Sequence, residues 1–134
     1  NISIMHHQCR RDATGRWRLS SQAFSDRYCR PSVDRALLCD SNPFHTKKAP
    51  KDGVVSVVAA EVRAIKDVTQ NDASGKVIKS HAVDVIPDAI IPDNLAHALI
   101  VATPDYSNRR VFRRLLERLQ KIAECRGWMI EPQE

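Results

Sequence analysis

The stretch "RRVFRRLLERLQKIAECR", residues 109–126, constrains the fold more than any other. Val111, Phe112, Leu115, Leu116, Leu119, Ile122 and Ala123 recur at i, i+3 and i+4, the spacing that collects apolar side chains on one face of an α-helix. Ser107 or Asn108 stands where a cap is needed and Gly127 follows the last periodic residue, as helix ends favour. An amphipathic helix owes most of its stability to what its apolar face packs against. The remainder of the chain must therefore supply a surface for it.

The apolar runs upstream read as strands of that surface. "AHALIVATP" is almost uninterrupted and stops at Pro104, as expected of a central strand in the middle of the sheet. "VVSVVAAEVRAI" begins with β-branched residues and continues with the helix-friendly "AAEVRA"; strand is preferred over the whole run, with helix as the alternative. "KDVTQNDASGK" reads as a hairpin-like connection, followed by a strand in "VIKSHAVDVIP" whose two faces are both mixed. Trp17 and Leu19 alternate with Arg16 and Arg18 after a Thr14-Gly15 turn, the period of a short edge strand. "RPSVDRALLCDSNPF" suggests a helix of two or three turns, Ser32 as its cap and Asp34 near its positive end. Residues 46–53 read as an exposed loop and "WMIEP" as a final short strand. The expected fold is α+β, a mostly antiparallel sheet with two helices packed on one face, the C-terminal amphipathic helix followed by a short strand, in a single domain over residues 1–134.

Charge is distributed unevenly. The chain has 21 Lys and Arg against 16 Asp and Glu, a net +5, which favours an anionic partner. Arg10, Arg11, Arg16, Arg18, Arg27, Arg30 and Arg35 load the N-terminal third and Arg109, Arg110, Arg113, Arg114, Arg118 and Lys121 the C-terminal helix, while Ala82 to Ser107 contains no cationic side chain. An anion-binding surface should therefore be built from the two ends of the chain. Arg10, Arg11, Arg16, Arg110, Arg114, Arg118 and Lys121 are its expected contacts, with Trp17 and Tyr28 as the stacking aromatics near the arginines. No apolar run approaches the roughly 20 residues that cross a bilayer, and "NISIMHHQCRR" lacks the pattern of a signal segment. A cytoplasmic protein without membrane contact is expected.

Chemistry could sit at three places. Cys9, Cys29, Cys39 and His45, with His6 or His7 as substitutes, are residue types that zinc prefers, but no C-x-x-C pair is present; free thiols are expected, with neither metal nor cofactor. Cys9 beside His6 and His7 could be imagined as a nucleophile and base, although neighbours on one short segment seldom hold a rigid geometry. Ser20 and Ser21 lack a nucleophile-elbow context and read as turn or capping hydroxyls. His97 stands alone among apolar neighbours in "AHALIV", so its ring is either satisfied in the core or presented to a cleft. If it meets a cleft, Arg18, Arg35, Arg63, Asp34 and Ser20 are the polar groups expected beside it. Arginine would stabilise an anionic transition state and His97 would move the proton, the arrangement of a metal-independent ribonuclease.

At "SSQAF", "RPSVDRA" and "DNLAHALIV" the chain resembles a type of small bacterial protein with an arginine-containing start, a Ser-Ser-x-Ala-Phe turn, a Ser-Val-Asp helix start and an Ala-His-Ala strand in this order, over roughly residues 10 to 103. The resemblance implies bacterial origin and one domain, and draws interest to Ser21, Ser32, Asp34 and His97. It brings no activity, cofactor or catalytic residue with it. The leading expectation is a small basic bacterial domain that contacts nucleic acid or an acidic protein partner within a multi-protein system. The competing one is a ribonuclease or nucleotide-acting enzyme built on His97 and nearby arginines.

Overall fold

The computed structural model describes the chain apart from Asn1, His7, Gln8, Asp12, Ser41, Lys48, Ala49, Ser107 and Glu134, and describes the backbone alone for Ile2–His6 and Cys9–Arg11. Six strands form the main sheet: β1 (Ile2–His6), β4 (Ser32–Arg35), β5 (Gly53–Val57), β8 (Ala82–Pro87), β9 (His97–Thr103) and β10 (Trp128–Ile130). Their order is β10-β5-β1-β4-β9-β8, and every neighbouring pair is antiparallel. Two small ribbons lie outside it, β2 (Cys9–Arg11) with β3 (Trp17–Leu19), and β6 (Thr69–Asn71) with β7 (Val77–Ser80). The helices are α1 (Ala59–Arg63) and α2 (Arg109–Arg126). The α+β class and the strand after the last helix are those read from the sequence.

Strand alternation decides which residues make the core. Val33 lies opposite Ala98 across β4 and β9, while Ile100 and Ala102 lie opposite Val85 and Val83. Directly opposed residues share a face, so these side chains, with Val55 and Val57, line one side of the sheet. That side is covered by Val62 of α1, by Ile65 and Val68 after it, and by Val111, Phe112, Leu115, Leu116, Leu119 and Ala123 of α2. Both helices therefore pack on one face. Asn108 caps α2, its side chain accepting from Arg110 N at 2.8 Å, and Gly127 ends it at φ +80°, a conformation that a side chain would strain.

Three expectations need correction. Residues 32–35 form β4, and only Ala36–Cys39 turn as a short 3₁₀ helix; the apolar pattern there is too brief to support a helix, and Val33 is held by its place between Ala98 and the core. The run "VVSVVAAEVRAI" divides, strand for its β-branched first half and α1 for "AAEVR". The strand read across residues 77–86 breaks at His81, β7 turning back on β6 while β8 joins the main sheet. Trp17–Leu19 is the short strand expected, paired with β2 in a two-stranded ribbon.

Candidate nucleic-acid interface

The structure brings the two arginine-rich ends of the chain together. Five contacts hold the 17–28 segment against α2 and β10. Gln120 Nε2 donates to Leu19 O (2.7 Å), Arg18 Nη2 meets Glu124 Oε2 (3.4 Å), and Arg109 donates from Nη1 to Asp26 O (3.1 Å) and from Nη2 to Arg27 O (2.6 Å). Trp128 Nε1, just beyond the helix, donates to Trp17 O (3.4 Å). The local folds suit this docking. Ser20 caps the 3₁₀ turn Ser21–Phe24, whose Phe24 is buried in the core, and Asp26 accepts from Tyr28 N and Arg30 N to close the next turn. Ser20 is thus a capping hydroxyl, as the sequence suggested.

Electrostatically, α2 is the dominant element. It carries seven Lys and Arg against two Glu, an excess of five that equals the net +5 of the whole chain; outside α2, cations and carboxylates are equal in number. No acidic residue occupies its first turn, where the helix dipole would favour one. Four of the seven cations are engaged. Arg109 holds the two carbonyls, Arg118 pairs with Asp67, Arg126 donates to Ser56 Oγ (2.9 Å) and Arg114 Nη1 reaches Thr69 O at 3.5 Å. The Arg118 guanidinium holds the Asp67 carboxyl below the usual carboxylate range. Arg110, Arg113 and Lys121 are exposed and have no hydrogen-bond or ion-pair partner among the described residues. At the N-terminal end of the helix, Tyr28 is 73% exposed, with the Arg27 guanidinium 5.6 Å from its ring centroid.

Of the expected contact residues, Arg110, Arg114 and Lys121 thus lie on the exposed side of α2, Arg118 is occupied by Asp67, and Arg16 is exposed beside β3. Arg10 and Arg11 pair through the backbone with Arg18 and Trp17; their side chains are outside the described residues.

The expected His97 group is only partly assembled. His97 and Asp34 face each other across β9 and β4, on the sheet face opposite the helices. Asp34 is buried and accepts from Thr46 Oγ1 and Asn94 Nδ2, both at 2.7 Å, and His45 Nε2 lies 3.1 Å from Asn94 Oδ1. The proton on His97 Nδ1 is directed at Asp88, whose carbonyl lies at 2.9 Å and carboxylate at 3.2 Å. Arg35 turns to the carbonyls of Leu95 (2.8 Å) and Ala96 (3.3 Å), Arg63 pairs with Asp84 at 2.6 Å, and Arg18 stands beside α2. Asp34, Arg35 and His97 are neighbours; Arg18 and Arg63 are elsewhere. Thr46, Asn94 and His45 are the partners that sequence reasoning missed, since an Asx or Thr in a loop carries no signal of its distant contact.

Cys29, Cys39 and Cys125 are free thiols, and burial pushes the Cys29 and Cys39 thiols up. The Cys9 side chain is outside the described residues. Among the described residues no group of three or more His, Cys, Asp or Glu is placed to hold a metal, and no helix is long and apolar enough to cross a membrane. No family model, no curated protein and no solved structure matches the chain.

Proposed function

We infer that this chain is a binding domain for single-stranded nucleic acid, laid along α2 and the 16–30 segment docked to it, and a component of a multi-protein system in the bacterial setting that its resemblance implies. The observation that carries this reading is the charge excess of α2, equal in number to the net charge of the protein, together with an exposed tyrosine, flanked by a guanidinium, in the segment that Arg109 docks to the start of that helix. Phosphates would meet Arg110, Arg113 and Lys121, and a base would stack on Tyr28, the combination that single-stranded binders use. An acidic protein surface would use the cations but has no use for a free aromatic face. The 18 residues of α2 span about 27 Å, enough to follow several nucleotides. An enzyme centred on His97 has less behind it, because Arg35 and Arg63 are engaged by carbonyls and a carboxylate and Arg18 stands away from it beside α2.

The test is anisotropy of a labelled single-stranded oligonucleotide at rising salt. Affinity should fall log-linearly with salt, by a slope of roughly 0.7 per phosphate contacted, and a duplex of the same sequence should bind more weakly. Absence of binding at low salt would overturn the reading.

A further inference from the structure

Beside the C-terminal end of α2 lies a groove of about 490 Å³ whose lining includes Trp17, Arg18, Glu124, Trp128 and Glu131. Its volume is that of small-molecule sites. Both tryptophans of the chain line it. One of its acceptors is orphaned: Glu124 Oε1 is buried and has no hydrogen-bond partner among the described residues. The other oxygen, Oε2, has only the 3.4 Å contact with Arg18, longer than a charge-assisted hydrogen bond normally is. A buried carboxylate oxygen without a donor is costly, and the Glu124 side chain is 30% exposed, so turning the carboxylate toward a donor in the groove would satisfy Oε1.

We propose that this groove takes one unpaired nucleobase, its Watson–Crick edge donating to Glu124 and its ring against the indole walls, with guanine preferred. The groove carries both signs of charge beside two aromatic walls. Its complement is a flat ring with an N–H edge and an attached anion, which describes a nucleotide. Guanine presents N1–H and N2–H side by side, two donors for one carboxylate. Adenine and cytosine offer a single amino group, and uracil's N3–H lies between two carbonyl oxygens that face the carboxylate unfavourably. The phosphate of the same nucleotide would meet the guanidinium groups at the rim. The inference rests on the nucleic-acid reading above and deepens it, because the groove continues the seam that begins at Tyr28.

The two tryptophans make the site self-reporting. Intrinsic fluorescence would be titrated with GMP and UMP, and with short single-stranded oligomers of uridine containing one guanosine or none, while anisotropy of the labelled oligomers records overall binding. Quenching by the guanine ligands at roughly tenfold lower concentration than by the uracil ligands, lost in Glu124→Gln, is the expected result. GMP without the oligomer effect would make it a free-nucleotide site and overturn its place in strand binding. Oligomers that bind by anisotropy with no guanine preference and no fluorescence change would overturn the groove proposal and leave the α2 interface standing. Guanine-dependent quenching without any oligomer binding would do the reverse. The wild-type selectivity decides the matter even if Glu124→Gln folds poorly.

Discussion

The ring of Tyr106 stacks on that of His81 at a centroid distance of 4.3 Å, and the Tyr106 hydroxyl, buried, has no hydrogen-bond partner among the described residues. His81 Nδ1 is spent on Pro104 O at 2.5 Å, so the pair contributes packing and leaves the phenol unsatisfied. Burial pushes the Tyr106 phenol up to about 12. Tyr106→Phe should therefore be neutral or stabilising by about 1 kcal/mol near pH 7, since it removes an unsatisfied hydroxyl and keeps the ring. The sign with pH follows from linkage. Between pH 10 and about 12 the unfolded tyrosine loses its proton and the folded one does not, so the wild type should lose on the order of 2 kcal/mol through this group as pH rises, a slope that Tyr106→Phe abolishes. Urea denaturation of both proteins at pH 7 and pH 11 measures the difference; equal pH slopes would refute it.

Asp34 anchors the opposite face of the sheet. Its two oxygens are satisfied by Thr46 and Asn94 from two separate loops, so removing one donor leaves a buried carboxylate short of a partner. Thr46→Val should cost about 1–3 kcal/mol. Chemical denaturation would show this as a lower midpoint, and an unchanged midpoint would mean that water replaces the hydroxyl.

The two sides of α2 should separate stability from binding. Leu119 is fully buried, and Leu119→Ala should cost about 2–5 kcal/mol. Arg110, Arg113 and Lys121 changed together to Gln should leave the melting temperature nearly unchanged and weaken oligonucleotide binding with a shallower salt dependence. A triple variant that binds with the wild-type salt slope would move the interface off this helix.

Gly53 opens β5 at a point where a methyl group has no room. A Cβ there would stand 2.7 Å from Pro132 Cγ and 2.7 Å from Trp128 Cζ3, so Gly53→Ala must displace the C-terminal segment. A cost of about 1–3 kcal/mol is expected, together with a shift in tryptophan emission because Trp128 moves. Unaltered emission with full stability would show that the segment gives way freely.

Legibility in the sequence followed the length of the pattern. Helix α2 repeats its apolar spacing over 18 residues and was readable with its caps. Strand β1 gave no such signal, yet it lies between β5 and β4 in the main sheet, since five residues show too few alternations. The helix expected after Ser32 rested on Val33, Ala36 and Leu37; in the structure Val33 points into the core from a strand and Leu37 is 86% exposed, because cross-strand pairing outweighs a two-turn periodicity. For the candidate site, counting arginines drew attention to the two ends of the chain, which the structure docks together through Arg109, Arg18 and Gln120, and Tyr28 was readable as a candidate stacking residue. The Trp17–Trp128 groove was not: its walls are 111 positions apart, and Glu124 reads along the chain as a mere interruption of a basic face.

With its charge excess confined to α2 and the remainder balanced, the protein is an electric dipole as well as a cation. On the nucleic-acid reading proposed above, the field of a polyanion would exert a torque on it before contact and turn α2 forward during diffusion. Association should then be fast and sharply dependent on ionic strength, while the lifetime of the complex is governed by the stacking contacts made after arrival.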